Sequence, residues 1–369
     1  MKRMERADVI VGICNDVLLK GTQPSLPELS ASEWEQTLEE ASTQGVLPVV
    51  IGGIDNGQTA SSTKMGEQLL QWIGELLRNE QNYRMRLYVM RELATLFGKE
   101  GLDILFLKGA SLAQLYPKPE WRVFSDVDYY LFGESERGIK LLAEQGIENS
   151  EYYHHHTQAS LNGVLLENHY DFVERVNHKC DIILDDALKA LAEKEGRSLQ
   201  AEFLGEKIAN AYLMTPTMNA IFLMRHMSAH FVGETIPLRQ LYDWALFLKK
   251  YAGEVDWGYV MPLYKQSGMM RFAGIIMAIL RTHLEFECKA CPIVLGKQPD
   301  SERVWESIVN PPEPDPYDKF TLRYYLFETK TFFANRWKHK IVYPGESFVR
   351  LFFKYAWHAV KKMTGVLKH

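Results

Sequence analysis

Cysteine is scarce in this sequence: four residues in 369, too few and too scattered for a disulfide framework. No apolar run approaches the roughly 20 residues that a membrane-spanning helix needs. The N-terminus is charged and then amphipathic over Met1 to Leu19. It lacks the clean apolar stretch and small-residue cleavage site of a secretory signal. Basic charge is not in excess either: 42 Lys plus Arg face 47 Asp plus Glu, a net charge of −5, unlike a chain whose main work is to coat nucleic acid. Internal repeats and low-complexity tracts are missing, which excludes a solenoid. These absences point to a reduced, cytoplasmic protein. The remaining composition, 46% hydrophobic and 24% charged, excludes a disordered or fibrous chain, and the length allows about two to three domains.

Apolar periodicity predicts helices over the first hundred residues. One runs from Ser30 to Ala41, with Ser32 and Glu35 spaced as a capping box. A glycine-containing stretch, Gly45 to Gly57, interrupts. A long helix follows over Met65 to Lys99, with Leu69, Leu70, Ile73, Leu76 and Leu77 on one face and Gly98 and Gly101 as stop signals. The pattern then changes to a buried strand at Asp103–Lys108, a short helix from Gly109 to Tyr116 and a second strand within Val123–Phe132. A helix over Glu134–Gly146 is followed by a hairpin of Tyr152–Leu161 and Val164–Val173 around Asn162-Gly163. Helices return at Thr215, a cap followed by Pro216, and continue over Leu238–Tyr251 and Tyr259–Thr282. The proline-rich stretch Pro292–Pro316 reads as a loop. The fold class expected is α+β: a small mixed-sheet core at 101–214 between a helical N-terminal region, 1–100, and a helical C-terminal domain, 215–369.

The chemistry concentrates in Phe106-Leu-Lys-Gly-Ala-Ser-Leu112 and Trp121-Arg-Val-Phe-Ser-Asp-Val-Asp-Tyr-Tyr-Leu131. A glycine where a strand turns into a helix lets backbone approach a phosphate, with helix N–H groups pointing outward to meet it. Asp126 and Asp128 are two apart on a strand and share a face. Two like charges held that close call for a hard divalent cation such as Mg²⁺; two such ions would activate an attacking hydroxyl and neutralise a leaving pyrophosphate. Alternation along the later strand places Glu167, His169 and Asp171 on one face, so Glu167 is the chosen third carboxylate and Asp171 its competitor. Lys108 and Arg122 either contact phosphates or partner the aspartates; the same geometry serves both.

This combination resembles the DNA polymerase beta-type nucleotidyltransferase superfamily. More closely it resembles the uncharacterised bacterial nucleotidyltransferase family, through Leu107-Lys-Gly-Ala-Ser-Leu112, Tyr116-Pro117, Arg122, Ser125-Asp-Val-Asp128 and Glu167-Asn-His169, with a weaker echo in His230 and Leu238-Arg-Gln-Leu-Tyr-Asp243. The resemblance implies a metal-dependent enzyme that moves a nucleoside monophosphate from an NTP, such as ATP, to an acceptor hydroxyl. Asp126 and Asp128 would bind Mg²⁺ or Mn²⁺, and Glu167 would be the third metal-side carboxylate or the base, with His169 and Asp171 behind them. Gly109 and Ser111 would meet the phosphates, helped by Lys108 and Arg122. The superfamily usually has Gly-Gly or Gly-Ser adjacent, whereas here Ala110 separates Gly109 from Ser111. Two other readings use the same fold: a catalytically silent nucleotide- or partner-binding module, and a toxin–antitoxin-type modifier of a macromolecule.

Other residues invite sharper readings than they support. Of His154, His155 and His156, at most two converge on one strand face, so an edge-strand histidine run is the simpler reading. His226 and His230 share a helix face, with packing or hydrogen bonding as their expected role. Cys288 and Cys291 form a single C-x-x-C without a second pair for zinc. From Asn335 onward eight Lys/Arg stand against one acid, Glu346. Phe348, Leu351, Phe352, Tyr355 and Ala359 recur at helical spacing there, among Lys354, Lys361 and Lys362. Such a helix packs its aromatic face on the domain, or meets an anionic surface or polyanion.

Overall fold

The computed structural model describes all residues except 2, 55–65, 150–154, 177, 295–298, 313–320 and 364–369. Among the described residues six strands form one mixed sheet and fifteen α-helices surround it, the α+β class expected. The strands are β1 (Ile104–Phe106), β2 (Asp126–Tyr130), β3 (His156–Leu161), β4 (Val164–His169), β5 (Gln200–Phe203) and β6 (Glu206–Leu213), in the order β3-β4-β2-β1-β6-β5. β2 runs antiparallel to β1 and parallel to β4, and β1 runs parallel to β6. Asn162 and Gly163, both at positive φ, close the β3–β4 hairpin, as an Asn-Gly turn between twisted strands requires.

Alternation divides the sheet into two faces. On one, Ile104, Phe106, Val127, Tyr129 and Leu166 bury against α4 (Gly66–Lys99) and α6 (Ser135–Glu144) through Val89, Leu93, Phe97 and Leu142. On the other, Leu105 and Tyr130 meet Phe172, α7 (Lys179–Glu195) and α8 (Pro216–Gly233). That second apolar cluster continues into α1 (Arg3–Cys14), α2 (Ala31–Thr43) and α3 (Leu47–Ile54). It also takes in α9 (Leu238–Tyr251), α10 (Trp257–Gln266), α11 (Met270–His283) and α12 (Ser301–Val309). Polar ties cross the same contact: the Tyr242 hydroxyl reaches Asn15 Oδ1 at 2.9 Å, and Gln44 Nε2 donates to the Ile308 carbonyl at 2.9 Å. The helical segments at the two ends of the chain thus pack together, and the second face of the sheet looks onto them.

Several elements depart from the sequence expectation. The capping box of α2 is Ser30 with Glu33, not Ser32 with Glu35. The stretch Gly45 to Gly57 holds α3, whose eight residues are all buried. A helix apolar all round shows no amphipathic period, and only its glycines stand out in the sequence. Gly52 lets the Trp121 ring lie against it; a Cβ there would sit 2.1 Å from the ring. Tyr259–Thr282 is two helices, parted at Gly268, whose φ is +75°. The proline-rich loop contains α12, which buries Val304, Trp305, Ile308 and Val309. Between Val173 and Thr215 the sequence pattern names no element, yet α7 and the β5–β6 hairpin lie there. β6 mixes polar and apolar residues, and its pairing with β1 holds it in the sheet. At the C-terminal end, α13 (Leu322–Ala334), α14 (Arg336–Val342) and α15 (Phe348–Met363) follow. Phe348 and Phe352 pack on Phe332 and Phe333, whereas Phe353 and Trp357 are exposed. No described helix is long and apolar enough to cross a membrane.

Candidate active site

After β1 the chain makes a sharp corner. Lys108 and Gly109 both have positive φ, +28° and +50°, before the single turn of α5 (Ala110–Ala113). A Cβ on Gly109 would make only ordinary contact with the Phe124 ring. The backbone conformation, φ +50° with ψ −112°, is therefore what favours glycine there. The Ser111 hydroxyl donates to the Lys108 carbonyl at 2.8 Å, so it braces the corner itself.

The register of β2 with β4 pairs Asp128 with Glu167, and that of β3 with β4 pairs Gln158 with Glu167 and His156 with His169. All these side chains leave the sheet on the face toward α8. His169 Nε2 donates to Asp128 Oδ1 at 3.1 Å and lies 3.9 Å from Glu167 Oε2; Gln158 Nε2 donates to Glu167 Oε1 at 3.1 Å. Lys108 Nζ stands 3.1 Å from Asp128 Oδ1 and 3.5 Å from Asp126 Oδ2. The structure thus gathers Lys108, Asp126, Asp128, Glu167 and His169.

Donor atoms of Asp128, Glu167 and His169 all fall within 4.8 Å of one another. Asp128 Oδ2 is buried with no hydrogen-bond partner among the described residues. A buried carboxylate oxygen left without a donor is costly, and a divalent cation would satisfy it. The carboxylate oxygens of Asp128 and Glu167 suit a hard cation such as Mg²⁺ or Mn²⁺. His155, His156 and His169 form a second group at the same spacing; His154 lies outside the described residues.

The charges respond as crowding predicts. Burial would raise the Asp128 carboxyl, but the Lys108 ammonium and the His169 hydrogen bond outweigh it and hold the group well below the usual carboxylate range. Glu167 is pushed up to about 7, first by burial and then by the charges of Asp128 and Asp126. Burial works against the charge on Lys108, yet Asp128, Asp126 and Glu167 raise its pKa above the ordinary lysine value. A cation entering beside Asp128 would relieve this repulsion and draw the proton from Glu167.

Two expected residues do other things. β4 ends at His169, and the backbone N–H groups of Tyr170 and Asp171 both turn to the His155 carbonyl. Alternation stops there, so the Asp171 carboxylate pairs with Lys189 and not with the cluster. Only the Asp171 backbone carbonyl approaches His169, 3.3 Å from Nδ1. Arg122 is buried, and its Nε and Nη2 engage Asp243 on α9 at 2.8 and 2.9 Å. Its Nη1 donates to the Gly109 carbonyl at 3.1 Å. Its charge partner is therefore a helix residue 121 positions away, not a strand aspartate, and it reaches a phosphate only through the corner it braces.

Sequence reasoning did not find Asp243 or Arg239 as site residues, and it gave His226 and His230 a packing or hydrogen-bonding role. The two histidines do lie in contact, ring centroids 4.5 Å apart, but they also wall the cleft opposite Lys108 and Asp126. Their i, i+4 spacing was visible; the sheet they face was not. Burial and Lys108 lower the pKa of both. Cys288 and Cys291 are free thiols, in no metal-ligating group among the described residues.

The cleft has two chambers. One, of about 410 Å³, is lined by Gly109, Arg122, Ser125, Arg239 and Asp243. The other, of about 400 Å³, is lined by Asp128, Glu167, His155, His156, His169 and Phe172. Lys108, Asp126, His226 and His230 border both.

No curated protein and no solved structure matches the chain significantly. One family does, described as uncharacterised nucleotidyltransferase, and its match covers residues 30–285 of 369. That span runs from α2 to α11 and contains the glycine corner, the strand carboxylates and the α8–α9 wall. With both the sequence match and the gathered carboxylates inside it, the chain belongs to the uncharacterised nucleotidyltransferase family.

Proposed function

We propose that this protein transfers a nucleoside monophosphate from an NTP to an acceptor hydroxyl with the help of Mg²⁺ or Mn²⁺, as a member of the DNA polymerase beta-type superfamily. The observation that carries this reading is the buried, unpartnered Asp128 Oδ2 within the Asp128–Glu167–His169 group, beside the Gly109 corner. Asp126, Asp128 and Glu167 would hold the cation, with His169 orienting Asp128. The cation, when bound, supplies charge neutralisation for the pyrophosphate and a lowered pKa for the attacking hydroxyl. The acceptor oxygen forms a bond to the α-phosphorus as the bond to pyrophosphate breaks. Glu167 completes the ligand set or takes the acceptor's proton. Lys108 and Gly109 bound the phosphate side, and Ser111 braces that corner. Catalysis would come mainly from positioning and charge neutralisation.

A second reading rests on Lys108. Its ammonium already pairs with both Asp126 and Asp128, a neutralisation that a silent nucleotide-binding module would retain. Incubation with each labelled NTP, Mg²⁺ or Mn²⁺ and cell extract separates the two. Transfer predicts label in an acceptor, release of pyrophosphate, and loss of both when EDTA removes the metal. Nucleotide binding without pyrophosphate release supports the silent module, and label in RNA or protein identifies a macromolecular acceptor.

A further inference from the structure

We propose that Arg239, in the first turn of α9, is the guanidinium that grips the polyphosphate in the chamber on the Gly109 side. This inference rests on the nucleotidyltransferase reading and assigns the two chambers within it. Three cations border the chamber, and two are already neutralised. Lys108 pairs with Asp126 and Asp128. Arg122 gives Nε and Nη2 to Asp243 and Nη1 to the Gly109 carbonyl.

Arg239 is left with the remainder. Among the described residues its one side-chain hydrogen bond runs from Nη1 to Asp243 Oδ2 at 3.4 Å, long for a charge-assisted bond. That oxygen already accepts from Arg122 at 2.9 Å, and Oδ1 accepts from Arg122 and from the Tyr116 hydroxyl. Two guanidiniums thus share one carboxylate, and Arg239 holds the weaker part of it. Burial and the neighbouring Arg122 both work against the charge on Arg239, and the support from Asp243 and Asp126 does not outweigh them.

The seat of Arg239 is built. Its backbone N–H donates to the Gln44 carbonyl at 3.2 Å. Its side chain lies over Gly45, where a Cβ would stand 3.2 Å from Nε. The side chain is 22% exposed, open to the chamber without lying free in solvent. A planar fork with unsatisfied donors matches phosphate oxygens in a way that a lysine does not. Besides Asp243, the acids that border this chamber are Asp126, paired with Lys108, and Glu234 at the rim, and both border the second chamber too. The second chamber adds the carboxylates of Asp128, Glu167 and Glu174, while its one further cation, Arg225, is paired with Asp181, so it is the more negative of the two. The cleft is therefore polarised: triphosphate on the Arg239 side, acceptor hydroxyl on the Glu167 side.

The test compares full-length wild type with Arg239→Gln and Arg239→Lys, by calorimetric titration of ATP, inorganic tripolyphosphate and Mn²⁺. Arg239→Gln should weaken ATP and tripolyphosphate about 10- to 100-fold, the worth of a charge-assisted pair, with Mn²⁺ binding unchanged. Arg239→Lys, which keeps the charge but not the fork, should fall between; it carries the comparison if the Gln variant does not fold. Wild-type affinity for ATP and tripolyphosphate in a folded variant would overturn the Arg239 assignment alone. A wild type that binds neither compound overturns the nucleotidyltransferase reading as well.

Discussion

Asp128→Asn is expected to lower nucleotidyl transfer at least about 10³-fold while leaving the fold intact. Asparagine keeps the shape and removes the negative charge that would bind a cation. The fold should tolerate it because Lys108 keeps Asp126 as a partner at 3.5 Å. In addition, the Asp128 charge that helps push up Glu167 disappears, so repulsion relieved offsets an ion pair lost. Turnover of labelled NTP together with a thermal melt checks both halves. A variant that melts like wild type and retains turnover removes the metal role from Asp128.

Asp243→Asn is expected to act on stability, by about 3–5 kcal/mol, the usual cost of removing one partner from a buried ion pair. Arg122 is 3% exposed and would keep its charge with no carboxylate beside it, and Arg239 would lose its one carboxylate contact. The Tyr116 hydroxyl, which donates to Asp243 Oδ1, would be disturbed as well. Urea unfolding should show a lower midpoint at an unchanged slope. Replacing both partners, Arg122→Met with Asp243→Leu, should recover part of the loss, because no buried charge then stands alone. That double variant should still transfer poorly, since nothing would tie the Gly109 carbonyl to α9. An Asp243→Asn midpoint equal to wild type would show that the Arg122 pair carries little of the fold.

Sequence separation decided what was legible before the structure. The Gly109 corner and the Asp126–Asp128 pair were readable because each is set within a few residues, by a strand end and by the two-residue period of a strand. Glu167 and His169 were readable by the same period, and Asp171 was misread because the period stops where β4 ends and the chain turns to His155. The α3 helix escaped notice because a fully buried segment has no polar side to reveal its period. Arg122 shows how far local reading goes: its charge demanded a partner, but Asp243 is supplied by α9, and no spacing rule connects the two. His226 and Arg239 join the cleft in the same way, through packing of α8 and α9 against the sheet face.

The metal assignment is tested most directly by locating Mn²⁺ through its anomalous scattering in crystals grown with a non-hydrolysable NTP analogue. The prediction is an ion bound by Asp126, Asp128 and Glu167, with the analogue's phosphates reaching toward Gly109. Bound analogue with no ion at Asp128, or Mn²⁺ held only at residues outside the cleft, would contradict it.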